Sequence, residues 1–330
     1  MCPELFEIPF IHVTVKGFGL MIVIGFLMGA WLVGRLSRSI TSDPQQTTNI
    51  VLYALVSGLI GARLFFAVHY FEKFREHPLE FFYIWQGGLE FYGGVVVAIP
   101  VIIFYLRRHK LPIRRTFDIL AIGLMLGVAF GRLGCFMNSC CYGKPTDLPW
   151  GIRFPYNSFP CVSQINADPD RDRSNAQLEL PPEEYLDFTG QDGKWYPKPY
   201  EELTAEQKKA VSYGEYRCLP VHPTQLYSSA NGALLCLILY LFWRRSQKAA
   251  AISAAKPFTQ PGLTFALAFV LYGVTRFGIE FIRDDNPFEY AWWAIVKGGT
   301  VSQNLSIYLI ILGVILIVIF ARFTPKTLKS

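Results

Sequence analysis

Uncharged apolar runs about as long as a membrane is thick recur along the chain, and the charged positions fall between them. Seven stand out: Gly17–Gly34, Ile50–Phe71 interrupted by Arg63, Phe91–Leu106 with Pro100 inside, Ile119–Tyr142 interrupted by Arg132, Thr224–Trp243, Gly262–Phe281 containing Arg276 and Glu280, and Leu305–Ala321. A helix needs about 20 mostly apolar residues to cross a hydrocarbon core roughly 30 Å thick, so the pattern predicts seven transmembrane helices. The first run follows Glu4 and Glu7 and lacks both a basic n-region and a small-residue cleavage site. It reads as a retained helix and not as a secretory signal.

Basic residues in short loops mark the cytoplasmic side. They gather in Arg107–Lys110 with Arg114 and Arg115, in Arg244, Arg245, Lys248 and Lys256, and in the tail at Arg322, Lys326 and Lys329. With seven spans this places the N-terminus outside and the C-terminus in the cytoplasm. The polar stretch 142–222, rich in Pro and Gly and with a helix-like segment Glu201–Val211, then faces the exterior. The expected fold is an all-α integral membrane protein: residues 1–141 as spans one to four, 142–222 as a small extracytoplasmic head insert, 223–330 as spans five to seven.

Composition agrees with this pattern. Of 330 residues, 52% are hydrophobic, 15% aromatic and only 17% charged, with a mean hydropathy of +0.29. That balance excludes a disordered chain, a coiled coil and an ordinary cytosolic enzyme. The formal charge of +6 does not indicate a nucleic-acid binder, because the basic residues punctuate apolar runs and do not line one folded face.

Charges inside spans are expensive and mark candidate sites. Arg63, Arg132 and Arg276 stand 13 or 14 residues after the starts of their runs, which is about 20 Å from the inner boundary at 1.5 Å per residue. Snorkelling to lipid headgroups would account for one such arginine. Three at one depth point to an anion pocket toward the outer leaflet, since guanidinium is suited to phosphate. Tyr272, Arg276, Glu280 and Arg283 share one helical face, so Glu280 can hold Arg276 while Arg283 reaches the outer surface. Two further polar blocks enter spans from the same side: Trp85–Gly94, whose paired glycines include Gly88 and Gly93, and His222–Tyr227, which carries Gln225.

Gly131-Arg132-Leu133-Gly134-Cys135-Phe136-Met137-Asn138 closely resembles the signature of the bacterial prolipoprotein diacylglyceryl transferases. The Gly-rich block, the His222–Tyr227 block and Arg276…Glu280…Arg283 recur in that family in the same order. The resemblance covers the whole chain. It implies an enzyme of the bacterial cytoplasmic (inner) membrane that moves the diacylglyceryl group of phosphatidylglycerol to the lipobox cysteine of a preprolipoprotein signal peptide. The products are a thioether and glycerol phosphate, the first step of lipoprotein maturation, with no cofactor and no metal. On this reading Arg132 and Arg276 are the essential arginines and Glu280, Arg283 and Tyr272 support them. The residues' own placement adds Arg63, Asn138, Gly88, Gly93, His222 and Gln225 as candidates for substrate binding, and Tyr92 or His222 as the group that passes the acceptor's proton to water.

The sequence departs from the family's pattern at several places. Tyr92 stands for histidine, Phe18 for tyrosine and Cys135 for asparagine, and Cys140-Cys141-Tyr142-Gly143 also differs. A family enzyme using another lipid or acceptor, an anion transporter, and a binding protein without catalysis are the rival readings. Inverted repeats would favour transport, and none is found. Of seven cysteines, Cys161 and Cys218 flank the insert and could staple its base, Cys140 or Cys141 could join them, and the connectivity stays open. Cys135 reads as a small packing residue, and no spacing supports a zinc site with His222.

Overall fold

The computed structural model describes residues 4–8, 13–41, 43–76, 78–83, 88, 90–171, 173–189, 193–252 and 259–322. The elements are the strands β1 (Glu4–Ile8) and β2 (Val13–Lys16), then α1 (Gly17–Ser37), α2 (Pro44–His69), α3 (Phe71–Glu76), a short 3-10 turn (Pro78–Phe82), α4 (Phe91–Arg108) and α5 (Ile113–Met137). Next come α6 (Phe159–Gln164), α7 (Pro182–Tyr185), β3 (Leu186–Thr189), β4 (Lys194–Pro197) and α8 (Ala205–Tyr213). The chain closes with α9 (Thr224–Ile252), α10 (Leu263–Glu280) and α11 (Val301–Arg322). Among the described residues two antiparallel ribbons, β1–β2 and β3–β4, accompany the helices of a mostly helical protein.

Six helices among the described residues are long and apolar enough to cross a membrane: α1, α2, α5, α9, α10 and α11. Their exposed faces are apolar, as at Leu27 (59% exposed), Val68 (69%) and Leu124 (63%), the inverse of a water-soluble surface. The structure is that of an integral membrane protein. The run Phe91–Leu106 also forms a helix, α4, of 18 residues.

Helix ends differ from the uncharged runs for identifiable reasons. Helix α2 starts at Pro44, ahead of Ile50, because Asp43 caps it, its side chain accepting from the Gln45 N–H, and proline suits the first helical position. Helix α9 runs on through Arg244, Arg245 and Lys248, since charge ends a membrane run but not a helix. Helix α5 stops at Met137, short of Tyr142, where Ser139 (φ 58°) and Cys141 (φ 61°) take the left-handed conformation.

The chain divides into two compact units, one of Met1–Phe26, Met125–Leu237 and Ala268–Ile315, the other of Leu27–Leu124, Ile238–Leu267 and Leu316–Ser330. In the second, α2 and α4 approach closely through glycines: a Cβ at Gly61 would lie 2.5 Å from the Gly93 carbonyl oxygen, and one at Gly94 2.9 Å from that of Gly58. Small residues allow such contact where lipid removes the hydrophobic drive for association. Asp118, buried in α5, accepts from the backbone N–H groups of Gly262 and Phe265, both at 2.8 Å, and so caps α10 from another helix.

The 142–222 insert belongs to the first unit and has its own core of Tyr156, Ile165, Leu178, Leu180, Tyr185 and Val211. Thr204 and Gln207 form a reciprocal capping box that starts α8. A disulfide joins Cys161 to Cys218, 57 residues apart. Closing a loop of that length stabilises by about 4 kcal/mol. Cys161→Ala with Cys218→Ala is therefore expected to make the insert much more susceptible to limited proteolysis, while the membrane helices stay protected.

Candidate active site

Helix periodicity and chain reversals together assemble a cationic centre around Arg132, Arg276 and Arg283 in the first unit, whereas Arg63 lies in the second. Arg63, Arg132 and Arg276 stand six, five and four residues before the last residue of α2, α5 and α10. All three lie inward of the last turn, too far from the helix ends for the dipole to favour their charge, so each depends on specific partners.

Arg276 Nη1 forms an ion pair with Glu280 Oε2 at 2.5 Å, the glutamate side chain fully buried. Arg276 Nη2 donates to Ser302 Oγ at 2.8 Å. Glu280 Oε1 accepts from Thr300 Oγ1 at 2.9 Å and from the Asn286 amide. One carboxylate thus fixes the guanidinium through α10 and the start of α11. Tyr272 lies within electrostatic reach of both Arg276 and Arg132, and the two arginines also act on each other.

Arg283 departs from expectation. Helix α10 ends at Glu280, so Arg283 leaves the helical face and turns inward, only 6% exposed. Its Nε and Nη2 donate to Asp285 at 2.7–2.9 Å. Burial opposes its charge, but Asp285 and then Cys141 outweigh this and hold its pKa above the usual value. Burial pushes the Asp285 carboxyl up, with Arg283 opposing it.

Backbone pairing brings distant segments to this point. The Gly143 N–H donates to the His222 carbonyl at 3.0 Å, and the Lys144 N–H to that of Ile282 at 2.8 Å. Gly143 allows no larger residue, since a Cβ there would come within 2.7 Å of His222 Cβ. His222 Nδ1 lies 3.3 Å from the Tyr227 hydroxyl, which also accepts from Trp150 Nε1 at 2.8 Å. Buried Gln225 donates to the Cys140 carbonyl at 2.7 Å, and Thr224 Oγ1 to that of Cys141 at 2.6 Å. Asn138 lies beside the Cys140 thiol. Hydrogen bonds from Cys135 and Cys140, with Arg283 and Arg132, hold the Cys141 thiol below its usual range.

Four of the expected residues, Arg63, Gly88, Tyr92 and Gly93, fall in the other unit. Arg63, 5% exposed, donates to the carbonyls of Phe81 (2.8 Å), Gly88 (2.9 Å) and Glu80. Its guanidinium organises the 80–88 segment. Gly88 has φ +73° and its Cβ would strike Phe66 and Arg63, while Gly93 packs against Gly61. Residues 84–87 and 89 of the Gly-rich block lie outside the described residues, as does the Tyr92 side chain.

Sequence reasoning missed Asp285, Ser302 and Thr300, which are polar residues outside any motif. It also missed the salt-bridge network of Arg171 and Arg173 with Asp168 and Asp284, which ties the insert to the loop after α10. Among the described residues no carboxylate lies within ion-pair distance of Arg132. Arg132, Arg276 and Arg283 against Glu280 and Asp285 leave positive charge in excess, the electrostatic condition for holding an anion.

Fold and site together define a helical membrane protein with a largely buried cluster of arginines, Arg132, Arg276 and Arg283, in its first unit. A family model described as prolipoprotein diacylglyceryl transferase matches residues 3–319. Similar proteins include the phosphatidylglycerol-prolipoprotein diacylglyceryl transferase of Burkholderia lata, 30% identical over 92% of this chain and 90% of the relative. Proteins of the same name from Roseobacter denitrificans (27% identical, 96% of this chain and 95% of the relative) and Proteus mirabilis (29%, 98% and 95%) are also similar. The chain belongs to the prolipoprotein diacylglyceryl transferase family.

Proposed function

We propose that this protein transfers the diacylglyceryl group of phosphatidylglycerol to the lipobox cysteine thiol of preprolipoproteins, the first step of bacterial lipoprotein maturation. The observation that carries this reading is the positive excess around Arg132 and Arg276 in a member of this family. The lipid's phosphate binds between the two guanidiniums, where water is scarce and charge-assisted hydrogen bonds are strong. The acceptor sulfur attacks as thiolate, because the thiolate is the nucleophile. It displaces glycerol phosphate, and the arginines stabilise the negative charge growing on the leaving group.

Glu280 and Ser302 orient Arg276, and Tyr272 interacts with both arginines. Arg283, held by Asp285, adds positive field beside the thiols. Arg63, Gly88 and Gly93 shape the Gly-rich segment, and Asn138 and Gln225 support the loop after α5. His222, coupled to Tyr227, and Tyr92 are the groups assigned to pass the acceptor's proton to water.

The reading includes seven membrane spans with the N-terminus outside, the 142–222 head extracytoplasmic, and the site toward that side of the bacterial inner membrane. The Cys161–Cys218 disulfide supports this orientation, since disulfides persist in oxidising compartments. Purified protein in phosphatidylglycerol vesicles is expected to release glycerol phosphate when a lipobox cysteine peptide is added, and not with the serine peptide. Release from a different lipid would move the reading to another donor. Solute flux without release would replace the enzyme with a transporter.

A further inference from the structure

Cys135, Cys140 and Cys141 are free thiols whose sulfur atoms all lie within 4.8 Å of one another. A Schellman closure of α5, with the Cys140 N–H donating to the Cys135 carbonyl and the Ser139 N–H to that of Phe136, brings Cys140 back over Cys135. Cys135 is in the last turn of α5, while Cys140 and Cys141 follow a reversal through left-handed Ser139 and Cys141, a conformation that residues with a Cβ disfavour. The reversal is held from three directions: the Cys140 N–H donates to the Cys135 carbonyl at 3.1 Å, buried Gln225 holds the Cys140 carbonyl, and buried Thr224 holds that of Cys141. Arg283 and Arg132 both lie within electrostatic reach of Cys141, which places the trio beside the arginines of the candidate site.

We propose that Cys135, Cys140 and Cys141 bind one zinc ion and leave its fourth tetrahedral position open for the acceptor's thiol. Zinc–sulfur bonds of about 2.3 Å put tetrahedral ligand sulfurs roughly 3.8 Å apart, which small side-chain rotations reach from the observed spacing. Three protein ligands with an open fourth position are the hallmark of a catalytic zinc site, and a coordinated thiol is deprotonated outright. This deepens the transferase reading and rests on it. The acceptor thiol binds the open position and gives its proton to water. Its sulfur then attacks the carbon of the diacylglycerol half that bears the phosphate ester oxygen, not the carbon of the headgroup glycerol. The S–C bond forms as that C–O bond breaks, and the bonding pair leaves with glycerol phosphate. The thioether, a poor ligand without charge, leaves the metal.

The test uses the full chain in detergent and phosphatidylglycerol under a phosphine reductant. Elemental analysis is expected to find one zinc per chain, absent from Cys135→Ala and Cys141→Ser but kept in Cys236→Ser, whose thiol is buried in α9. Cobalt in place of zinc should give tetrahedral thiolate absorption that changes with the lipobox cysteine peptide and not with its serine counterpart. Stripping zinc from unmodified protein should slow transfer on the order of tenfold, because a free thiol is mostly protonated near neutrality, and adding zinc should restore it. Zinc content no higher than in Cys135→Ala, a disulfide within the trio in active enzyme, or transfer unchanged by stripping would overturn the proposal. Metal bound with no transfer in either state would leave the zinc site standing and remove both thiol activation and the transferase reading.

Discussion

Arg276→Gln and Arg132→Gln are each expected to lower diacylglyceryl transfer by about 10²–10³, the usual loss when one preorganised donor to developing charge is removed. The reason lies in how each guanidinium is held. Arg276 is fixed by Glu280 and Ser302, so its donors need no reorganisation as the leaving phosphate gains charge. Arg132 lacks a carboxylate partner among the described residues, which leaves its charge for the substrate. Lysine is expected to rescue poorly at both positions, since it offers a point charge where a planar fork grips two oxygens. The double variant should be little worse than either single one, because groups that act as a unit are not additive. Rates of labelled lipid transfer in the same vesicles decide this, and wild-type rates in both Gln variants would remove the two arginines from the mechanism.

Glu280→Ala is expected to destabilise the protein by about 3–5 kcal/mol, because it leaves the Arg276 charge buried without its partner. Glu280 is 3% exposed and accepts from Thr300 and Asn286 as well, so the substitution also strands two donors. Glu280→Gln keeps one carbonyl acceptor and should retain most of the fold, yet lose transfer because Arg276 is no longer pinned. Thermal unfolding in detergent separates the two: a large drop for Ala, a small one for Gln, with activity lost in both. Equal stability of wild type and Glu280→Ala would show that the pair is solvated.

Features that follow from local periodicity were legible in the sequence. Apolar runs located the helices, and the i, i+4 spacing of Tyr272, Arg276 and Glu280 predicted the face that carries the ion pair. Features that depend on chain reversals were not. The Arg283 side chain turns inward because α10 ends three residues earlier, a boundary that no apolar pattern marks between Glu280 and Arg283. The meeting of Cys135 with Cys140 and Cys141 depends on left-handed Ser139 and Cys141, and on Thr224 and Gln225, which lie more than 80 residues downstream. Arg63 looked equivalent to Arg132 and Arg276 in sequence. Its donors go to backbone carbonyls of a segment that has no apolar signature.

The most direct measurement is the mass and bond type of a lipobox cysteine peptide after incubation with the purified protein and phosphatidylglycerol. The peptide should gain one diacylglyceryl group through a thioether that survives hydroxylamine, with one glycerol phosphate released per peptide modified. An unmodified peptide, or an adduct that hydroxylamine cleaves, would contradict the assignment.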